Sequence, residues 1–148
     1  MRDIHGNFNL VLSGNIMFTL ATGPWNAECV RQFNREYIKL VSPLFGKQWG
    51  DLVILQGESL LIPDAEHLIS QTVLESCQRG LSHVALIVSD SSIRAIARAQ
   101  FMKIYPSSGL IVQYFDNQQE ALDWLILQGL YCDKTEITQK LAKYFKLN

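Results

Sequence analysis

"VALIVSDSSIRAIARAQF", residues 84–101, decides the fold. An unbroken apolar run meets Ser89-Asp90-Ser91-Ser92, after which Ile93, Ile96, Ala97 and Phe101 recur at helical spacing, with Ile104 continuing the stripe. A short apolar run without polar alternation is the pattern of a strand covered on both faces, as in a parallel sheet. A strand that passes through a short polar turn into an amphipathic helix is half of a strand–helix–strand crossover.

The same unit recurs on either side. Upstream, "DLVIL" (51–55) is a second buried strand, followed by a helix with Pro63 ahead of an Asp64 cap. That helix carries an Ala65, Leu68, Ile69, Thr72, Val73, Ser76 stripe, and Gly80 stops it. Before it, Thr22-Gly23-Pro24 predicts the start of another helix, since proline suits a first helical position. Its apolar residues are Phe33, Tyr37, Leu40, Val41 and Leu44, and it ends between Pro43 and Gly46. At the start of the chain Phe8, Leu10 and Leu12 alternate with Asn9 and Val11, and Ile16, Phe18 and Leu20 resume after Gly14-Asn15, which predicts a β-hairpin with one apolar face on each arm.

Downstream, "HVALIV" (83–88) and its helix lead to a strand "GLIVQYF" (109–115). Asp116 and Gln119 have capping-box spacing ahead of a helix with an inner stripe of Leu122, Leu125 and Ile126 and a stop at Gly129. Asp133 and Glu136 repeat that spacing before Ile137, Leu141, Tyr144 and Phe145, an amphipathic tail that must cover apolar surface on its own sheet or on a second copy. The order is ββαβαβαβαα. This is an α/β fold, a mixed and mostly parallel sheet with an N-terminal β-hairpin and helices packed on it. The 148 residues, 48% hydrophobic, suffice for one domain over residues 1–148, with a C-terminal helical extension from about residue 129.

Composition narrows the function classes. A net charge of -1 leaves no excess of Lys or Arg to neutralise phosphates, so nucleic-acid binding has no electrostatic footprint. Cys29, Cys77 and Cys132 form neither a CxxC pair nor a cluster with histidine, the pattern of reduced thiols in a cytoplasmic protein with no metal site and no bound cofactor. The early apolar run is broken by Ser13-Gly14-Asn15, which argues against a signal peptide, and no stretch reaches the roughly 18 apolar residues of a membrane span.

Chemistry in such folds sits beyond the carboxyl ends of the parallel strands. The corresponding loops are Gln56-Gly57-Glu58-Ser59, Ser89-Asp90-Ser91-Ser92 and Asp116-Asn117. A serine nucleophile needs a histidine within reach, but neither His67 nor His83 stands near a nucleophile elbow, and His83 begins its strand at the far edge. Asp64, Asp90 and Asp116 at the helix starts would repel an anion, and capping accounts for all three. A receiver-type cation site wants an Asp where "DLVIL" runs into Gln56.

The order of elements, with "YFDNQQEALDWL", "VALIVSDSSIRA" and "FNREYIKLVSPLFGKQWGDLVIL", resembles the SpoIIAA-like group of STAS domains, the sulfate-transporter and anti-sigma-factor-antagonist fold, over residues 8 to about 128. The resemblance implies a bacterial regulatory or binding module rather than an enzyme. Antagonists of this group carry a regulatory phosphoserine in a DSSG-like loop after the strand corresponding to "DLVIL", which makes Ser59 the one positional candidate for phosphorylation. Asp90-Ser91-Ser92 lies one unit later and lacks the glycine, since Ile93 follows. The likeness of the fold to lipid carriers makes "SLLIP" (59–63) a candidate wall of an apolar groove.

Two functions are therefore expected. The first is a non-catalytic STAS-like module that binds a partner protein or a small apolar or anionic ligand, a lipid included, through Gly57, Glu58, Ser59, Asp90, Ser91, Ser92 and Asp116, with a homodimer through the tail as an option. The second is a small enzyme or receiver-type phosphoprotein using Asp90, Ser91 and Asp116. Cys29 and Cys77 fall in helices and should be structural, leaving Cys132 the most reactive thiol.

Overall fold

The structure is a computed structural model that describes residues 6–105 and 109–142. Strands β1 (Asn7–Ser13) and β2 (Ile16–Trp25) form the hairpin, and helix α1 (Ala27–Val41) follows, ending in a 3-10 turn at Ser42–Leu44. Then come β3 (Trp49–Leu61), α2 (Pro63–Arg79), β4 (Leu81–Val88), α3 (Arg94–Ile104), β5 (Ile111–Phe115), α4 (Gln118–Leu127) and α5 (Lys134–Leu141). The strands lie in the order β1-β2-β3-β4-β5. β1 is antiparallel to β2, and every other neighbour pair is parallel.

That order dictates the layering. Three successive crossovers step across the sheet in one direction, and right-handed crossovers of that kind all pass over the same face. α1, α2 and α3 therefore share one face and pack side by side, while α4 and α5 cover the other.

The hairpin forms as expected, with Gly14 at φ 59°, where a side chain would collide with the Tyr131 carbonyl. Its register differs from the expectation of one apolar face. Phe8, Leu10 and Leu12 stand opposite Ala21, Thr19 and Met17 and turn toward α1, whereas Ile16, Phe18 and Leu20 turn toward α4. Both faces of the hairpin are covered, so apolar residues sit at consecutive positions.

Four further expectations are corrected. Thr22-Gly23-Pro24 does not open a helix, because β2 runs on to Trp25 and Asn26 is the cap of α1, accepting from the Cys29 N–H at 3.0 Å. Gln56-Gly57-Glu58-Ser59 is not a loop but the continuation of β3, which outruns β4 and pairs there with β2 alone. Asp64, Asp90 and Asp116 cap no helix. Ile62 precedes Pro63 at the start of α2, Ile93 precedes α3, and Asn117 caps α4 by accepting from the Glu120 N–H at 2.9 Å. Finally, Ile96 is exposed and Ile126 lies at the rim of the buried stripe, so the inner residues of α3 and α4 are Ala97, Phe101 and Ile104, and Ala121, Leu122 and Leu125.

The segment after Gly129 docks on its own sheet. Asn15 at the hairpin turn exchanges hydrogen bonds with the backbone of Tyr131, at 3.1 and 2.8 Å, and Ser13 Oγ accepts from the Asp133 N–H at 2.9 Å. Asp133 caps α5 through the Glu136 N–H as predicted, and Ile137 and Leu141 are buried. Tyr144 and Phe145 lie outside the described residues. Among the described residues no helix is long and apolar enough to cross a membrane.

Candidate functional site

The strand pleat sorts β3 into two rows. Gly50, Leu52 and Ile54 face α4, and Trp49, Val53 and Leu55 face the three-helix side. Asp51 falls in the second row, an acid in an otherwise apolar layer, and is 8% exposed. Burying a carboxylate without partners is costly, and a chain of aromatic donors meets it. The Tyr37 hydroxyl, from α1, lies 2.7 and 2.9 Å from the two carboxylate oxygens, and the same hydroxyl accepts from Trp49 Nε1 at 2.9 Å. Indole donates only, so the proton order runs Trp49 to Tyr37 to Asp51.

No ion pair reaches Asp51 among the described residues. Burial pushes its carboxyl up to about 7, partly offset by the hydrogen bond from Tyr37 and by the Trp49 N–H behind it. Burial and the neighbouring Asp51 push the Tyr37 hydroxyl up as well, so it stays protonated.

These groups open onto a cavity of about 70 Å³ between the sheet and α1, α2 and α3. Its walls are mainly apolar: Trp25 and Phe33 at one end, Ile69 and Val73 from α2, Phe101 from α3. Leu60, Leu61, Thr72 and Tyr105 are its half-buried lining residues. Thr19 also lines it, 4% exposed, and its hydroxyl has no hydrogen-bond partner among the described residues. The space holds several waters at ~10–15 Å³ each, and is about half of an apolar cavity of ~150 Å³ that accepts benzene.

Of the loop residues predicted from sequence only Ser59 lines this cavity, together with Leu60 and Leu61 of the "SLLIP" segment. Ser59 is buried, and its hydroxyl turns back onto the carbonyls of Gln56 and Ala21. Gly57 and Glu58 lie on the exposed part of the β3 extension, Gly57 at φ 60°. Asp90 accepts from both the N–H and the hydroxyl of Ser92, at 2.9 and 2.7 Å, which closes a local turn. Those bonds hold its carboxyl below the usual range. Ser91 is exposed in that turn, and Asp116 pairs with Arg98 at 3.9 Å. No hydrogen bond or ion pair among the described residues joins these three groups, so they do not form one constellation. His83 is on the opposite face from the cavity, against Trp124.

Asp51, Tyr37, Trp49 and Thr19 were not identified from the sequence as site residues; Tyr37 read only as part of a helix stripe and Asp51 as the start of a strand. Asp51 heads "DLVIL", where an acid reads as the boundary of a strand. The available signal was Trp49, a large apolar residue on the far side of it, which shows that the strand had already begun.

Among solved structures the chain is similar to the crystal structure of a DUF3478-family protein with a SpoIIAA-like fold from Shewanella loihica PV-4. The TM-score is 0.61 at 16% sequence identity, over 84% of this chain and 97% of that one. The fold of the chain is accordingly SpoIIAA-like, as the sequence resemblance implied. No protein-family model and no curated protein matches the chain.

Proposed function

We propose that the chain is a non-catalytic binding module that takes a small, mostly apolar ligand into the cavity between the sheet and α1–α3. The observation that carries this reading is the cavity's own composition, an apolar lining converging on one buried carboxyl and one unpartnered hydroxyl. Apolar pockets with a few converging polar groups are the usual form of a small-molecule site. A core built only for stability gains nothing from burying Asp51 without a cation or from leaving Thr19 unpaired.

The reading moves the ligand from the strand-end loops to the interior and keeps Ser59 and the "SLLIP" segment as its wall. Trp25 lines the cavity and Trp49 donates to Tyr37, which lines it, so intrinsic fluorescence is the direct assay. Titration with four-carbon apolar probes should give a saturable change in emission. Ala21→Leu, which directs a larger side chain into the same space, should abolish that change in protein whose far-ultraviolet dichroism is intact. Saturable binding that survives Ala21→Leu would refute the assignment.

A further inference from the structure

We infer that the ligand's buried end donates a hydrogen bond and carries no negative charge, the chemistry of a short apolar alcohol or amine and not of a carboxylate, sulfate or phosphate ester. The inference rests on the cavity being the ligand site, and it adds the class of molecule. It departs from the anionic ligand that the sequence left open.

The count of donors and acceptors leads to it. Above about pH 7, where Asp51 is ionised, its carboxylate offers about four lone-pair sites and receives one proton, from Tyr37. Tyr37 has no second proton to give, since its other bond is accepted from Trp49. Ser59 donates to main-chain carbonyls and Thr72 to the Leu68 carbonyl, so neither faces the void with a free proton. The cavity therefore has acceptor capacity to spare on an ionised Asp51, and its remaining hydroxyls, on Thr19, Ser76 and Tyr105, can donate or accept.

Charge points the same way. The lining contains no Lys, Arg or His. An anion in the cavity would leave water for an apolar wall with a carboxyl group as its neighbour and no cation to offset either cost. Burial pushes the Tyr105 hydroxyl up, and the Asp51 charge adds to that push. An alcohol meets no such penalty, and an ammonium group would gain an ion partner in Asp51. Size limits the remainder: about 70 Å³ suits four or five heavy atoms.

Fluorescence titration at pH 8 with 1-butanol, butylamine, propionate and pentane, which have the same number of heavy atoms and differ in the end group, tests the class. Butanol and butylamine should bind at least tenfold more tightly than propionate, with pentane between. Asp51→Asn, which keeps the shape and adds an amide donor, should shrink the butylamine-to-propionate ratio to within about threefold. Propionate within threefold of butanol on the wild-type protein would overturn the inference and leave the cavity standing as a site. The wild-type series decides this even if Asp51→Asn fails to fold. If none of the four probes binds, the cavity reading itself fails, and the inference with it.

Discussion

The two faces of the sheet are built from the same strands, yet they close differently. The face under α4 and α5 is filled: Ile16, Phe18, Leu52, Ala85 and Leu125 are almost entirely buried, and its polar groups stay at its margin, where Ser13 ties down the tail. The face under α1, α2 and α3 carries more aromatic rings, among them Trp25, Phe33, Tyr37 and Trp49, and still leaves a cavity lined by Asp51 and Thr19. The difference does not follow from how much apolar material is available. It follows from the shape of the roof. Two short helices settle onto a sheet independently, whereas three adjacent crossover helices must also pack on one another, and the rigid rings stacked between β2 and α1 do not close every gap.

Truncation should separate the faces most strongly. Phe18 is 1% exposed in the filled layer, and Phe18→Ala should cost about 3–5 kcal/mol. Phe101 is 7% exposed with the cavity already beside it, so Phe101→Ala removes fewer contacts and should fall at or below the lower end of that range. Urea denaturation measures both. Equal losses would mean that the second face is as tightly packed as the first, and that the cavity is occupied by its own side chains in solution.

The next effect is the pH dependence that Asp51 imposes. Its carboxyl is pushed up to about 7 in the fold, against 3.8 for an unperturbed Asp. Between those values the unfolded chain releases the proton and the folded chain keeps it, so the unfolded state binds fewer protons and stability falls as pH rises. Below about 4 both states are protonated and above about 7 both are ionised, and each limit is flat. The difference between wild type and Asp51→Asn isolates this dependence from that of the other acids. The variant should be close to wild type near pH 4 and more stable near pH 8, by about 4 kcal/mol at most. A difference that does not change between pH 4 and pH 8 would show that the open face holds an ordinary carboxylate.

What could be read from the sequence divides along the same line. The element order, the parallel core and the docking of Ile137 and Leu141 followed from periodicity, because burial on one or two sides imprints a period on the chain. The extent of β3 did not, since beyond Leu55 it pairs only with β2 and no longer needs apolar residues on both faces. The cavity did not either. Asp51 is held by Tyr37, 14 residues earlier, and by the side of the sheet that Trp49 occupies, and neither relation has a local signature. The helix starts failed for a narrower reason. Asp116 and Asn117 are adjacent and equally good caps by composition, and only the backbone turn decides between them.

That decision is testable on the filled face. Asn117→Ala should cost about 0.5–2 kcal/mol by freeing the Glu120 N–H, whereas Asp116→Ala, losing a long and exposed pairing with Arg98, should stay within about 0.5 kcal/mol. Thermal unfolding of the two variants side by side is sufficient. A larger loss at Asp116 would return the cap to the residue that sequence spacing had favoured.

The smallest effect should come from the open face, and its sign matters more than its size. Thr19→Val replaces a buried hydroxyl that has no partner among the described residues with a methyl group of nearly the same volume. An unsatisfied buried hydroxyl carries a desolvation cost with nothing in return, and valine is at least as well suited to a strand. The variant should therefore match wild type or exceed it by up to about 1 kcal/mol, measured by urea midpoint in ligand-free protein. At Ser13 on the filled face no such gain is available, because its Oγ accepts the Asp133 N–H, and Ser13→Ala should destabilise. If Thr19→Val instead lowers stability, the hydroxyl has a partner in the empty protein, an ordered water in the cavity, and the two faces differ in hydration and not in how completely they are closed.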